Sequence, residues 1–279
     1  MSLSRRRFLR SVAAGATTLP FLQAKPAFKL GVTDWNLRLT GKVEAVALAK
    51  RLGFEGVEVS LGRNPASDRL PMDNPDLQAQ YLAAAREHSL ALAGTCLDIL
   101  HVNYLKNDKL GQKWLADGIQ ITRKLDAKVM LMPFFGKGAL ATREEMDYVG
   151  DILKELAPAA VKAGILLALE DTISAEDNVR IMERSQSPAV KVYYDIGNST
   201  NNGFPILKEI RWLGKDRIAQ MHLKDKGYLG EGAIDFPAVI KAIEEIGYTV
   251  FANLETSSPS KNVENDMARN LAFLRKLMA

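Results

Sequence analysis

The chain has 279 residues, 47% of them apolar and 25% charged, with 20 glycines and 11 prolines. That composition belongs to a packed globular protein and excludes a disordered or fibrous one. Its net charge of +4 lies in the first 24 residues, whose four arginines and no acid leave 33 Lys and Arg against 33 Asp and Glu, a neutral body without the basic stripe of a nucleic-acid binder.

Ser4 to Ala24 reads SRRRFLRSVAAGATTLPFLQA, an arginine cluster followed by a mildly apolar stretch from Val12 to Leu22 and then a small residue. The stretch is too short to span a bilayer and has the layout of an export signal. Arg6 and Arg7 followed by Phe8 and Leu9 resemble a twin-arginine signal, the type that carries folded proteins. The expected organisation is a signal over 1–24 and one domain over 25–279, exported to the periplasm with no stable membrane anchor after cleavage. The one cysteine, Cys96, rules out an intramolecular disulfide and lies too far inside the chain to carry a lipid at the cut site.

Beyond the signal, short β-rich runs cover Phe28 to Thr33, Gly56 to Ser60, Ala91 to Leu97, Ala127 to Met132, Ile165 to Glu170, Val190 to Asp195, Ile218 to Leu223 and Val250 to Glu255. Helical patterns fill the gaps, over Val43 to Leu52, Pro75 to His88, Gln112 to Leu125, Arg143 to Ala163, Ala175 to Arg184, Pro205 to Leu213, Phe236 to Ile246 and Val263 to Met278. Near-continuous apolar strands such as ILLAL suit a parallel sheet buried on both faces, and Gly53, Gly164 and Gly247 are placed to end helices. Eight such units predict a single-domain α/β protein, the (β/α)8 TIM barrel. The alternative is a doubly wound open sheet, but no GxGxxG follows an early strand.

In such a barrel the chemistry sits at the C-terminal ends of the strands. Strand five ends in Glu170 and Asp171, strand six in Asp195 followed by Asn198, strand seven in His222 and Lys224, and strand eight in Glu255. Any one acid, such as Asp171 before Thr172, is explained as a loop or cap residue; four strand ends in register point to a site. Two glutamates, an aspartate and a histidine form an oxygen-rich set suited to one divalent ion, Mn²⁺, Mg²⁺ or Co²⁺ ahead of Zn²⁺. Such an ion makes the carbon beside a carbonyl acidic by stabilising an enediolate, while a carboxylate takes the proton. Glu170 and Glu255, across the site from one another, are the natural catalytic pair.

The segments ALED at 168–171, YDIGN at 194–198, HLKD at 222–225, GEGAIDF at 230–236 and NLE at 253–255 resemble the xylose-isomerase-like TIM barrels of the sugar phosphate isomerase/epimerase type. The resemblance implies that Glu170, Asp195, His222 and Glu255 hold one metal, with both glutamates moving protons. Many ketose epimerases carry a histidine three residues after the strand-six aspartate, where this chain has Asn198.

Earlier strands supply candidates for contact with substrate: Glu58 in GVEVS, Asp34 and Trp35 closing strand one, and His101 after strand three. A buried, hydrogen-bonded carboxylate is the alternative for Glu58, and a barrel plug for Trp35. Asn198 and Lys224 complete the candidate substrate contacts, while His88 belongs to a polar helix face. The expected activity is a metal-dependent sugar isomerase or epimerase working through an enediolate. Elimination or hydration of a 3-keto-glycoside or inosose by the same enolate is an alternative, and a non-catalytic sugar-binding barrel is a third. An abasic-site endonuclease would need a three-metal cluster, for which three histidines in the whole chain are too few. The expected partner is a small sugar, with self-association left open, and export favours a non-phosphorylated one.

Overall fold

The computed structural model describes residues 28–279, so the export signal expected over 1–24 lies outside the described residues. Eight strands form a closed barrel in chain order. They are β1 (Lys29–Thr33), β2 (Gly56–Ser60), β3 (Ala91–Cys96), β4 (Val129–Pro133), β5 (Leu166–Glu170), β6 (Val190–Asp195), β7 (Ile218–Leu223) and β8 (Phe251–Leu254). Every neighbouring pair is parallel, and β8 closes on β1 with Gly31 opposite Asn253. This is the (β/α)8 barrel expected from the sequence, in one domain.

The helices are α1 (Glu44–Leu52), α2 (Pro75–Glu87), α3 (Lys109–Lys124), α4 (Arg143–Ala163), α5 (Ala175–Ser185), α6 (Ile196–Asn201), α7 (Ile206–Arg217), α8 (Phe236–Glu245) and α9 (Val263–Met278). Local chemistry sets their ends. Thr142 and Glu145 form a reciprocal capping box at the start of α4, and Gly53 and Gly164, both left-handed, close α1 and α4. Helix α3 begins at Lys109, earlier than its apolar pattern suggests, because the Asp108 side chain accepts from the Leu110 N–H. Among the described residues no helix is long and apolar enough to cross a membrane.

Strand alternation decides which side chains face the barrel interior. Val129, Leu131, Ala168 and Tyr193 belong to a small interior cluster. Their sequence neighbours Met130, Met132, Leu167, Leu169, Val192 and Tyr194 join the larger core between sheet and helices. With a period of two, Glu170 lies one pleat above Ala168 and Asp195 one pleat above Tyr193, both facing inward at the C-terminal rim. On β8 the outward Ala252 and Leu254 leave Asn253 and Glu255 pointing in, and on β7 Met221 and Leu223 do the same for His222 and Lys224.

Candidate active site

The rim acids meet around His222. Its Nδ1 lies 2.8 Å from Glu170 Oε1, 3.7 Å from Asp195 Oδ2 and 3.6 Å from Glu255 Oε2. One ligand atom from each of these four residues falls within 4.8 Å of all the others. Asp195 divides its carboxylate: Oδ1 accepts the Asn198 N–H and caps α6, whereas the buried Oδ2 faces His222 Nδ1 and pairs with the Lys224 ammonium. Three buried or half-buried carboxylates converging on one imidazole fit a divalent cation, for which hard oxygen donors and one nitrogen are suitable ligands.

Lys224 brings its ammonium to 2.7 Å from both Asp195 Oδ2 and Glu255 Oε2. Gly197 makes room for it, since a Cβ there would stand 2.4 Å from Lys224 Cγ. Trp35 donates its indole N–H to Glu255 Oε1 at 2.9 Å and so fixes that carboxylate. The two glutamates are driven apart. Burial pushes the Glu170 carboxyl up to about 8. Burial also pushes Glu255 up, but His222 and Lys224 beside it more than reverse this and hold it well below the usual carboxylate range. The same carboxylates raise the His222 imidazole against the opposing effect of its burial, so it carries both ring protons near neutrality.

A second polar layer lies underneath. Glu58 Oε2 accepts from Tyr193 Oη at 2.7 Å, His222 Nε2 at 3.0 Å and Asn253 Nδ2 at 3.2 Å. Glu58 is fully buried and does not line the cavity, which corrects the expectation that it reaches a sugar hydroxyl. The cause is its level: the inward residue of β2 at the rim is Ser60, and Glu58 sits one pleat deeper. There it holds the His222 ring so that Nδ1 faces the other three acids, the carboxylate–histidine pairing common beneath metal ligands.

Above this floor opens a cavity of about 640 Å³ lined by Trp35, His101, Glu170, Asn198, Lys224 and Glu255 among others. The buried Asn198 Nδ2 has no partner and is a free donor at its wall. His101 stacks on Phe135 with ring centroids 6.1 Å apart, and burial together with Arg63 lowers its imidazole to about 4, leaving it neutral. Asp34 is instead structural, its Oδ2 accepting the Gly41 and Ser60 N–H groups. Asp171 accepts from Ile173 N and Asn178 Nδ2, a loop role. His88 is the residue that ends α2 and lies away from the cavity. Sequence reasoning missed Ser60, Arg63 and Asp98 in the cavity wall. The rule that picked Glu170, the last inward residue of a strand, points equally to Ser60.

Known proteins share this barrel. A 2-epi-5-epi-valiolone 7-phosphate 2-epimerase of Actinoplanes sp. is 27% identical over 203 residues, covering 71% of this chain and 72% of that protein. The D-allulose 3-epimerase of Methylomonas sp. superposes with a TM-score of 0.72 at 17% identity, covering 90% of this chain and 98% of that one. The 3-keto-D-glucoside 4-epimerase of E. coli superposes with a TM-score of 0.71 at 17% identity, over 90% of this chain and 100% of that one. These superpositions show a shared fold. The profile of one family matches residues 46–277, nearly the whole described barrel, and the chain belongs to the xylose isomerase-like TIM barrel family.

Proposed function

We propose that this protein is a divalent-metal-dependent isomerase or epimerase that removes the proton beside the carbonyl of a non-phosphorylated keto-sugar. The observation that carries the reading is the convergence of Glu170, Asp195, His222 and Glu255 at the floor of an open cavity. Without the ion, burial raises Glu170 while His222 and Lys224 hold Glu255 low, so the two carboxyls differ in proton affinity, as an acid and a base must. A bound dication would supply charge stabilisation for the enediolate. Glu255, oriented by Trp35, takes the proton from one face of the carbon; Glu170 returns one from the other. The Asn198 amide and the Lys224 ammonium are donors for substrate oxygens, and His101, neutral, is a wall contact.

The loop after β7 supports a substrate without phosphate. Its Gly230 and Gly232 N–H groups both donate to Asp225 Oδ2, at 3.2 and 3.1 Å, and a Cβ on Gly232 would overlap that carboxylate. Amides that could cradle a phosphate are thus already satisfied by an internal anion. The test is solvent deuterium incorporation, followed by NMR, into ketoses and 3-keto-glycosides with Mn²⁺-loaded and metal-stripped protein. Exchange that requires metal supports the reading; no exchange into any of them with loaded protein overturns it.

We also propose export by the twin-arginine route, supported by the acid-free, arginine-rich start of the chain. Replacing Arg6 and Arg7 by Lys should leave the precursor in the cytoplasm, and unchanged export of that variant would count against the route.

A further inference from the structure

The cavity is larger than the reacting centre requires. All four candidate ligands come from β5–β8, one half of the barrel mouth, yet the cavity continues over the loops that follow β1–β3. At about 30 Å³ per water in the liquid, 640 Å³ holds roughly twenty waters, well beyond the roughly dozen heavy atoms of one hexose.

The far half has polar groups of its own. Ser60 Oγ donates to Asp98 Oδ2 at 2.6 Å and accepts the Gly62 N–H at 3.2 Å. Gly62 is left-handed, with φ of +91°, and a Cβ there would meet Pro71 Cγ at 2.5 Å, so the turn that presents Arg63 is fixed by packing. Arg63 is exposed at the cavity edge and, like Asp98 and His101, lines the cavity. The Phe135 ring, with His101 stacked on it, lines the same cavity. None of these residues has a role in the proton transfer described above.

We propose that this half is a second sugar-ring subsite, and that the substrate is a two-ring glycoside whose oxidised ring lies at Glu170 and Glu255. The inference rests on the reading given under Proposed function and narrows its substrate class. A carboxylate acceptor and a guanidinium donor lining the same half of a cavity match the hydroxyls of a pyranose, and an aromatic wall packs against its C–H face. A one-ring ketose would leave this half of the cavity to water.

Calorimetric titration of the metal-loaded Glu255→Gln protein compares a 3-keto-disaccharide, the free 3-keto-hexose and a ketose phosphate. The two-ring compound should bind at least about tenfold tighter than the free hexose, and this gain should fall to within about threefold in Phe135→Ala and Arg63→Ala backgrounds. Metal content and melting temperature show that both variants fold. Equal affinity for one and two rings, or tightest binding of the phosphate, overturns the subsite. If the wild-type protein still drives deuterium into the free hexose, the proposed activity stands while the subsite fails; exchange into neither compound removes the activity itself.

Discussion

Removing the Glu58 charge should weaken metal binding without touching a metal ligand. Three donors converge on one oxygen of this carboxylate, and one of them is His222 Nε2, at 3.0 Å. In Glu58→Gln the amide oxygen can accept the same three bonds, so the ring stays in place but loses a charged partner. A hydrogen bond to a charged group is worth about 1.5–3 kcal/mol and a neutral one about 0.5–1.5, so the loss is roughly 1–1.5 kcal/mol, or about five- to tenfold in affinity. Glu58→Leu removes the acceptor entirely and frees the ring to turn, for which losses of about 10- to 100-fold are typical. Titration of Mn²⁺ into metal-free protein by calorimetry measures both, with circular dichroism and melting curves to separate binding from folding. The order wild type, Gln, Leu is expected. If both folded variants bind Mn²⁺ as tightly as wild type, either His222 is no ligand or its orientation is set elsewhere.

Glu255→Gln, saturated with Mn²⁺, should lose at least about a hundredfold in turnover while still binding substrate, measured by deuterium exchange and calorimetry; near-wild-type exchange would move the base to another residue. Because His222 binds its second proton more tightly in the folded protein, its contribution to metal-free stability is complete below about pH 6.5 and is lost as pH rises through the elevated folded value. Ligation through Nδ1 must expel that proton, so Mn²⁺ affinity should increase with pH, with at least about one proton released per ion near pH 7, read from calorimetry in buffers of different ionisation enthalpy. Zero release would contradict ligation by His222. Gly31→Ala should destabilise by about 1–3 kcal/mol, because its Cβ would lie 1.9 Å from Asn253 Oδ1. A melting temperature equal to wild type would show that Asn253 can swing aside at no cost.

What could be read from the sequence follows from how far each signal reaches along the chain. Glu170, Asp195, His222 and Glu255 were legible because each closes an apolar run, and strands of a closed parallel barrel end at one common rim. The level of Glu58 was not legible. The boundaries of β2 match the expected ones, but which inward residue of β2 stands at the rim depends on its register with its neighbours, where Glu58 faces Thr33 on one side and Gly94 on the other. Arg63 and Asp98 lie in connections without periodicity, and their approach to the cavity depends on the left-handed Gly62 turn and a short 3₁₀ turn over Asp98–His101. Helix α6 was missed for a different reason: at six residues it is too short to show a pattern, and it starts because Asp195 caps it.

That double use of Asp195 joins the fold to the chemistry. Buried charge must be balanced, and four acidic side chains, those of Glu58, Glu170, Asp195 and Glu255, face one imidazole and one ammonium. Without a further cation the site leans on protons: burial, with Glu255 and Asp195 adding to it, raises the Glu170 carboxyl to about 8, and the surrounding carboxylates raise the His222 imidazole. A divalent ion would replace those protons with two charges in one place. The residues that sequence reading assigned to the metal are therefore the ones whose electrostatics are least self-sufficient, and the lower layer of Glu58, Tyr193 and Asn253 keeps them from relaxing apart. The need for outside positive charge is built into the barrel before any substrate enters.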